Sequence, residues 1–170
     1  MNNLITHPAI EVANDLDTYE KGLLFEDYIV TLFNRRKFRL IEWRSDKLAS
    51  NGVRPESCTW PDLVFASLGR RKKYFAIECK WRKQFFDGGI NWADRFQIEN
   101  YLRYQQETNM QVFIAIGIGG HPFNPEHLFV TPLDHICTYP FVYRSRLISF
   151  KRESEDRNIE DVEQLELFRD

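Results

Sequence analysis

The stretch PDLVFASLGRRKKYFAIECKW, residues 61–81, constrains this chain more than any other. Two runs with the β-branched and aromatic content of strands, DLVFASL (62–68) and KYFAIECKW (73–81), flank a tight turn at Gly69 and are expected as antiparallel neighbours. Side chains alternate faces along a strand, so Tyr74, Ala76, Glu78 and Lys80 share one face. Phe75, Ile77, Cys79 and Trp81 share the other, which reads as core. Asp62 opens the neighbouring strand, where the turn brings it level with Glu78. Folded this way, the chain gathers two carboxylates and one ammonium opposite its main apolar face.

That grouping has a chemical reading. A buried carboxylate is costly unless something positive compensates it. A single lysine satisfies two acids less well than a divalent cation does. Hard cations such as Mg²⁺ prefer carboxylate and carbonyl oxygens and keep water positions open for a substrate phosphate. Lys80 beside such an ion is placed to orient an attacking water or to offset charge growing on a phosphorane. The competing arrangement, a cross-strand Glu–Lys or Asp–Lys salt bridge, contributes little to stability. The spacing from Asp62 to Glu78-Cys79-Lys80 within paired strands favours the metal site.

The rest of the chain supplies a frame for it. Asp17 and Glu20 have the spacing of a capping box, opening a helix predicted to run to about Lys37. Leu24, Phe25, Tyr28, Ile29, Leu32 and Phe33 form its apolar stripe. FRLIEWR (38–44) reads as a strand, followed by a polar loop through Asn51-Gly52 and Pro55. Gly88-Gly89 precedes a second helix from about Ala93 to Glu107. QVFIAIGI (111–118) is almost wholly apolar, as in a strand covered on both faces, and HLFVTPL (127–133) suggests a fifth, shorter strand. The expected fold is α/β, a mixed central sheet of about five strands flanked by helices, in the order αβββαβ plus a further strand.

In motif and element order, Asp62, Glu78 and Lys80, in the form PD-x15-ECK, resemble the signature of the PD-(D/E)XK nuclease superfamily, the restriction-endonuclease-like fold. The resemblance covers roughly Tyr19–Leu133. It implies an endonuclease, a Mg²⁺-dependent hydrolase of DNA phosphodiesters in which Mn²⁺ substitutes. Asp62, Glu78 and the main-chain carbonyl of Cys79 match the metal ligands, and Lys80 the catalytic lysine. Gly22-x-x-x-Glu26 resembles the acidic element on the first helix of many members, so Glu26 joins the catalytic and metal candidates, directly or through water. Gln97-x-x-x-Tyr101 resembles the Q-x-x-x-Y element of the exonuclease-like branch. One helical turn apart, the two either position substrate and metal water or serve as ordinary packing and surface residues.

Composition sets the remaining expectations. The net charge of −2 argues against a polyanionic partner until its distribution is considered. The last twenty residues carry four basic and eight acidic side chains, whereas Arg70, Arg71, Lys72, Lys73, Arg82 and Lys83 cluster around the motif as candidate nucleic-acid contacts. Residues 1–150 are expected as the nuclease-like domain, and 151–170 as an acidic tail, disordered in part or carrying a short helix near Ile159–Phe168. Cys58, Cys79 and Cys137 are odd in number and scattered, and with no secretory leader or apolar span in view a cytoplasmic protein without a membrane partner is expected. His121, His127, His135 and Cys137 match no zinc spacing and read as structural. Expected partners are DNA and either a second copy or a helicase or recognition subunit. The alternative function is a non-cleaving nucleic-acid-binding or assembly subunit of a larger DNA-processing complex.

Overall fold

The computed structural model describes residues 16–44 and 59–166. Cys58, the expected loop through Asn51-Gly52 and Pro55, and the end of the expected tail helix at Phe168 lie outside the described residues.

Helix α1 (Thr18–Leu32) begins at the expected capping box: Glu20 N–H donates to Asp17 Oδ1 at 2.8 Å and Asp17 N–H donates to Glu20 Oε2 at 2.9 Å. Its stripe is confirmed, with Phe25, Ile29 and Leu32 buried. The helix ends five residues before Lys37. Phe33 turns extended, and the Asn34 carbonyl accepts both Lys37 N–H and Phe38 N–H at 2.9 Å, closing a turn in place of further helix. Strand β1 (Phe38–Trp43) follows, then β2 (Leu63–Ser67) and β3 (Tyr74–Arg82), antiparallel as their turn requires. After a short strand β4 (Gly89–Asn91) comes helix α2 (Arg95–Thr108), itself opened by a capping box between Asp94 and Gln97. Strand β5 (Gln111–Ile118) then runs parallel to β3, and β6 (His127–Pro132) pairs antiparallel with β5.

The chain continues through α3 (Leu133–Ile136), β7 (Phe141–Tyr143), α4 (Arg144–Leu147), β8 (Lys151–Arg152) and α5 (Glu163–Glu166). The central sheet has six strands in the order β1-β2-β3-β5-β6-β8, one more than the sequence suggested, and β4 pairs separately with β7. The extra strand lies in the stretch expected as a tail. Residues 151–166 instead pack onto the sheet: Lys151 and Arg152 pair with β6, and Ile159, Val162 and Leu165 are buried. Buried Arg152 secures this strap by donating to the Gln164 carbonyl at 3.0 Å and the Asp156 carbonyl at 2.6 Å.

Both faces of the sheet are covered. Phe25, Ile29, Leu63, Phe65, Phe75, Ile77, Phe113 and Ala115 belong to one core cluster, beneath α1 and the C-terminal strap. Val64, Ala76, Ile98, Tyr101, Ile114 and Ile116 belong to the other, beneath α2. The face that carries Glu78 is therefore a second apolar core, not the polar side of a one-sided sheet. Placing the first core requires a glycine on β5: a Cβ on Gly117 would lie 2.5 Å from Phe25 Cε2 and 2.9 Å from its Cζ. Only a bare backbone lets α1 lie this close.

Candidate active site

Register delivers the acids. Leu63 is opposite Ile77 in the β2–β3 ladder, so the preceding residue, Asp62, meets the level of Glu78. Cys79 N–H donates to Asp62 Oδ2 at 2.9 Å, fixing that carboxylate against β3. The entry to β2 is held in turn by Arg44, a contact that the sequence reading missed. Arg44 N–H donates to the Asp62 carbonyl at 2.8 Å and its guanidinium donates to the Pro61 carbonyl at 2.7 Å. The same guanidinium lies 5.3 Å from the Trp60 ring and 5.4 Å from that of Tyr104. Only the aromatic neighbours supplied a sequence cue, since Arg44 itself ends a strand like many solvated arginines.

Asp62 is 1% exposed and Glu78 0%, so both carboxylates are withdrawn from water. Lys80 Nζ lies 2.6 Å from Glu78 Oε1, with only 11% of the lysine side chain exposed. The Tyr101 hydroxyl donates to the same Glu78 oxygen at 2.6 Å and accepts from Lys80 Nζ at 3.3 Å. Two groups, one from β3 and one from α2, thus close around one carboxylate oxygen. Burial first, then the negative charge of Glu78, pushes the Tyr101 hydroxyl far above its ordinary range, so it remains a donor. Burial likewise lowers the Arg82 guanidinium, with Glu78 acting in the opposite sense.

Glu26 has a different setting. It is carried by α1 on the other side of the sheet, and its Oε2 accepts the Trp43 indole N–H at 2.7 Å. It lines a groove of about 680 Å³ with Lys21, Lys80, Arg82, Lys83 and His121, at the end of β3. Among the described residues no group of three or more His, Cys, Asp or Glu side chains gathers to hold a metal, so Glu26 does not close a three-acid cluster with Asp62 and Glu78. The two-acid pair nevertheless suits Mg²⁺, which is typically bound through one or two carboxylates while keeping several waters.

The helical pair divides. Tyr101 reaches Glu78, but the Gln97 side chain is used in the α2 cap, where its Oε1 accepts Asp94 N–H at 3.1 Å. The basic candidates divide as well. Arg82 and Lys83 line the groove, whereas Arg70, Arg71, Lys72 and Lys73 lie in the β2–β3 turn, at the other end of both strands. His121 stacks on Phe123 and His135 contacts the Arg146 carbonyl. No helix among the described residues is long and apolar enough to cross a membrane.

No family model matches the chain, and no curated protein is similar enough in sequence to count as a relative. Among solved structures, the chain is similar to Hjc, a Holliday junction resolvase from the archaeal hyperthermophile Archaeoglobus fulgidus. The two share 21% sequence identity and superpose with a TM-score of 0.51 over 75% of this chain and 92% of that chain. With the strand order above, this likeness shows the restriction-endonuclease-like fold.

Proposed function

We propose that the protein is a metal-dependent DNA endonuclease whose reaction is centred on Asp62, Glu78 and Lys80. The observation that carries this reading is the buried Asp62–Glu78 pair, level with each other on adjoining strands, with the Lys80 ammonium 2.6 Å from Glu78. A structural ion pair needs one acid and one base; a second buried carboxylate at the same level is an arrangement that suits a divalent cation.

Asp62, Glu78 and the Cys79 main-chain carbonyl would hold Mg²⁺ or Mn²⁺. Such an ion, when bound, polarises a phosphoryl oxygen and eases deprotonation of water. The chain's own groups do the rest. Lys80 carries three N–H donors; with two directed to Glu78 and Tyr101, the third serves a water or a phosphate oxygen on which charge develops. Tyr101 keeps Glu78 Oε1 fixed through a hydroxyl that does not ionise near neutral pH. Glu26, steadied by Trp43, lines the approach with Lys83, which would meet the backbone of an incoming strand, while the Arg82 guanidinium beside them donates to the Trp81, Asn91 and Trp92 carbonyls. Hydrolysis adds water across the P–O bond, giving a phosphate monoester and a free hydroxyl.

The test is nicking of supercoiled plasmid and cleavage of duplex and branched DNA by the full chain, with Mg²⁺ or Mn²⁺ and against chelator. Asp62→Asn retains an oxygen acceptor for Cys79 N–H, so it is expected to fold normally and to lose at least about 10²-fold in rate. Equal cutting by wild type and Asp62→Asn would remove the acid pair from the chemistry. Tight DNA binding without metal-dependent cutting would favour a non-cleaving subunit.

A further inference from the structure

Two basic turns meet at the end of the sheet remote from Asp62 and Glu78. The α1–β1 turn supplies Arg35, Arg36 and Lys37, and the β2–β3 turn supplies Arg70, Arg71, Lys72 and Lys73, all exposed. Leu68 N–H donates to the Lys37 carbonyl at 2.8 Å, which locks the turns side by side. Each is also closed on itself. Arg36 N–H donates to Asn34 Oδ1 at 2.9 Å, and Lys73 N–H donates to Ser67 Oγ at 2.9 Å. The cations are therefore presented by ordered backbone, although they come from segments more than thirty residues apart in sequence.

The C-terminal strap neutralises only part of this corner. Glu160 lies 3.1 Å from Lys37 Nζ and Glu163 lies 2.8 Å from Lys73 Nζ. Arg35, Arg36, Arg70, Arg71 and Lys72 form no ion pair among the described residues. A cavity of about 630 Å³ lies between turns and strap, and its wall sets Glu160, Asp161 and Glu163 against Arg36, Lys37, Arg71 and Lys73, so the acids offset much of its attraction for a small free anion. The unpaired cations suit an extended polyanion instead. From Lys73 to Glu78 is roughly 17 Å along β3, at about 3.3 Å per residue, so phosphates held at the corner lie about five base pairs from the segment at the acid pair.

We propose that this corner is a second, non-catalytic surface for the phosphate backbone of duplex DNA, holding a part of the substrate other than the segment at Asp62 and Glu78. The proposal rests on the nuclease reading for the identity of the polyanion, and its test needs neither metal nor cleavage. The full chain is titrated against a labelled 30-base-pair duplex in chelator over a range of salt. Each phosphate neutralised contributes about 0.9 to the slope of log affinity against log salt. The triple variant Arg36→Ala, Arg71→Ala, Lys72→Ala is expected to lower the slope by about 2.7. Between 50 and 200 mM salt it then loses about 40-fold less affinity than wild type. Replacing both arginines by lysine keeps the charges and the slope, whereas Glu163→Gln frees Lys73 and raises the slope by about 0.9. An unchanged slope in the triple variant overturns the proposal. So does an equal loss in the lysine variant, or binding to anionic phosphatidylserine vesicles but not to duplex. DNA cleavage with an unchanged slope rejects the corner alone; the expected slopes without cleavage reject the nuclease reading alone.

Discussion

Replacing Tyr101 by phenylalanine removes the hydroxyl that donates to Glu78 and should leave a signature in both stability and its pH dependence. The hydroxyl donates to Glu78 Oε1 at 2.6 Å. A hydrogen bond to a charged group contributes about 1.5–3 kcal/mol, and Lys80 remains on the same oxygen, which places the loss near the lower end. The hydroxyl's raised pKa fixes the sign of the pH effect. In the unfolded chain tyrosine ionises near pH ~10, while in the fold burial and the Glu78 charge keep Tyr101 protonated well above that value. Below pH ~10 both states hold the proton, so the contribution of Tyr101 is fully present. Above it only the unfolded state releases the proton, and wild-type stability falls by about 1.4 kcal/mol per pH unit from this group. The other tyrosines and the lysines titrate alike in both proteins and cancel in the difference. Urea unfolding at pH 8, 10 and 11 should therefore show wild type more stable by about 1.5 kcal/mol at pH 8, with the advantage shrinking to near zero by pH ~11. A stability difference constant from pH 8 to 11 would refute the argument, because Tyr101 would then be ionising as freely in the fold as in the unfolded chain.

Two further substitutions test how the site is held. Gly117→Ala places a methyl 2.5 Å from the buried Phe25 ring, and overpacking of this kind costs about 1–3 kcal/mol, read as a lower urea midpoint at unchanged m-value. An unchanged midpoint would mean that α1 does not lie firmly on β5. Trp43→Phe removes the indole N–H that Glu26 accepts, and cleavage should fall by about two- to tenfold, the equivalent of one net hydrogen bond, far less than for Asp62→Asn. Equal losses in these two variants would instead give Glu26 the same standing as Asp62.

What the sequence made legible was periodic or local. The two-residue alternation of β3 put Glu78 and Lys80 on one side, and the short turn at Gly69 set the register that brings Asp62 level with Glu78. The apolar run of β5 announced a strand covered twice, which Phe113 and Ala115 on one face and Ile114 and Ile116 on the other confirm. The strap was harder to see because charge surrounds its apolar contacts. Ile159, Val162 and Leu165 recur at three-residue spacing among acids, and Arg152 is buried where the Gln164 and Asp156 carbonyls face it. Gln97 shows the limit of motif spacing: its side chain is claimed by the helix cap before it can serve a site. Trp43 and Arg44 carry no motif at all. Their roles come from where β1 ends, beside Glu26 on one side and Pro61 on the other.

The basic stretch from Arg70 to Lys83 shows why a linear cluster is a poor guide to a surface. An extended strand separates its ends: Lys73 to Lys80 is seven residues, about 23 Å at ~3.3 Å per residue. Residues close in the chain are therefore sent to opposite ends of the sheet, while Lys37 and Leu68, thirty-one apart, share a hydrogen bond. The same geometry controls access to the acids. With α2 over one face and α1 over the other, Glu78 is reached neither from above nor from below the sheet. Among the described residues, a groove where Lys80, Arg82 and Lys83 stand with Glu26 opens at the end of β3. On the proposed nuclease reading, Lys80 and Lys83 in that groove would offset the repulsion between an entering phosphate and Glu26.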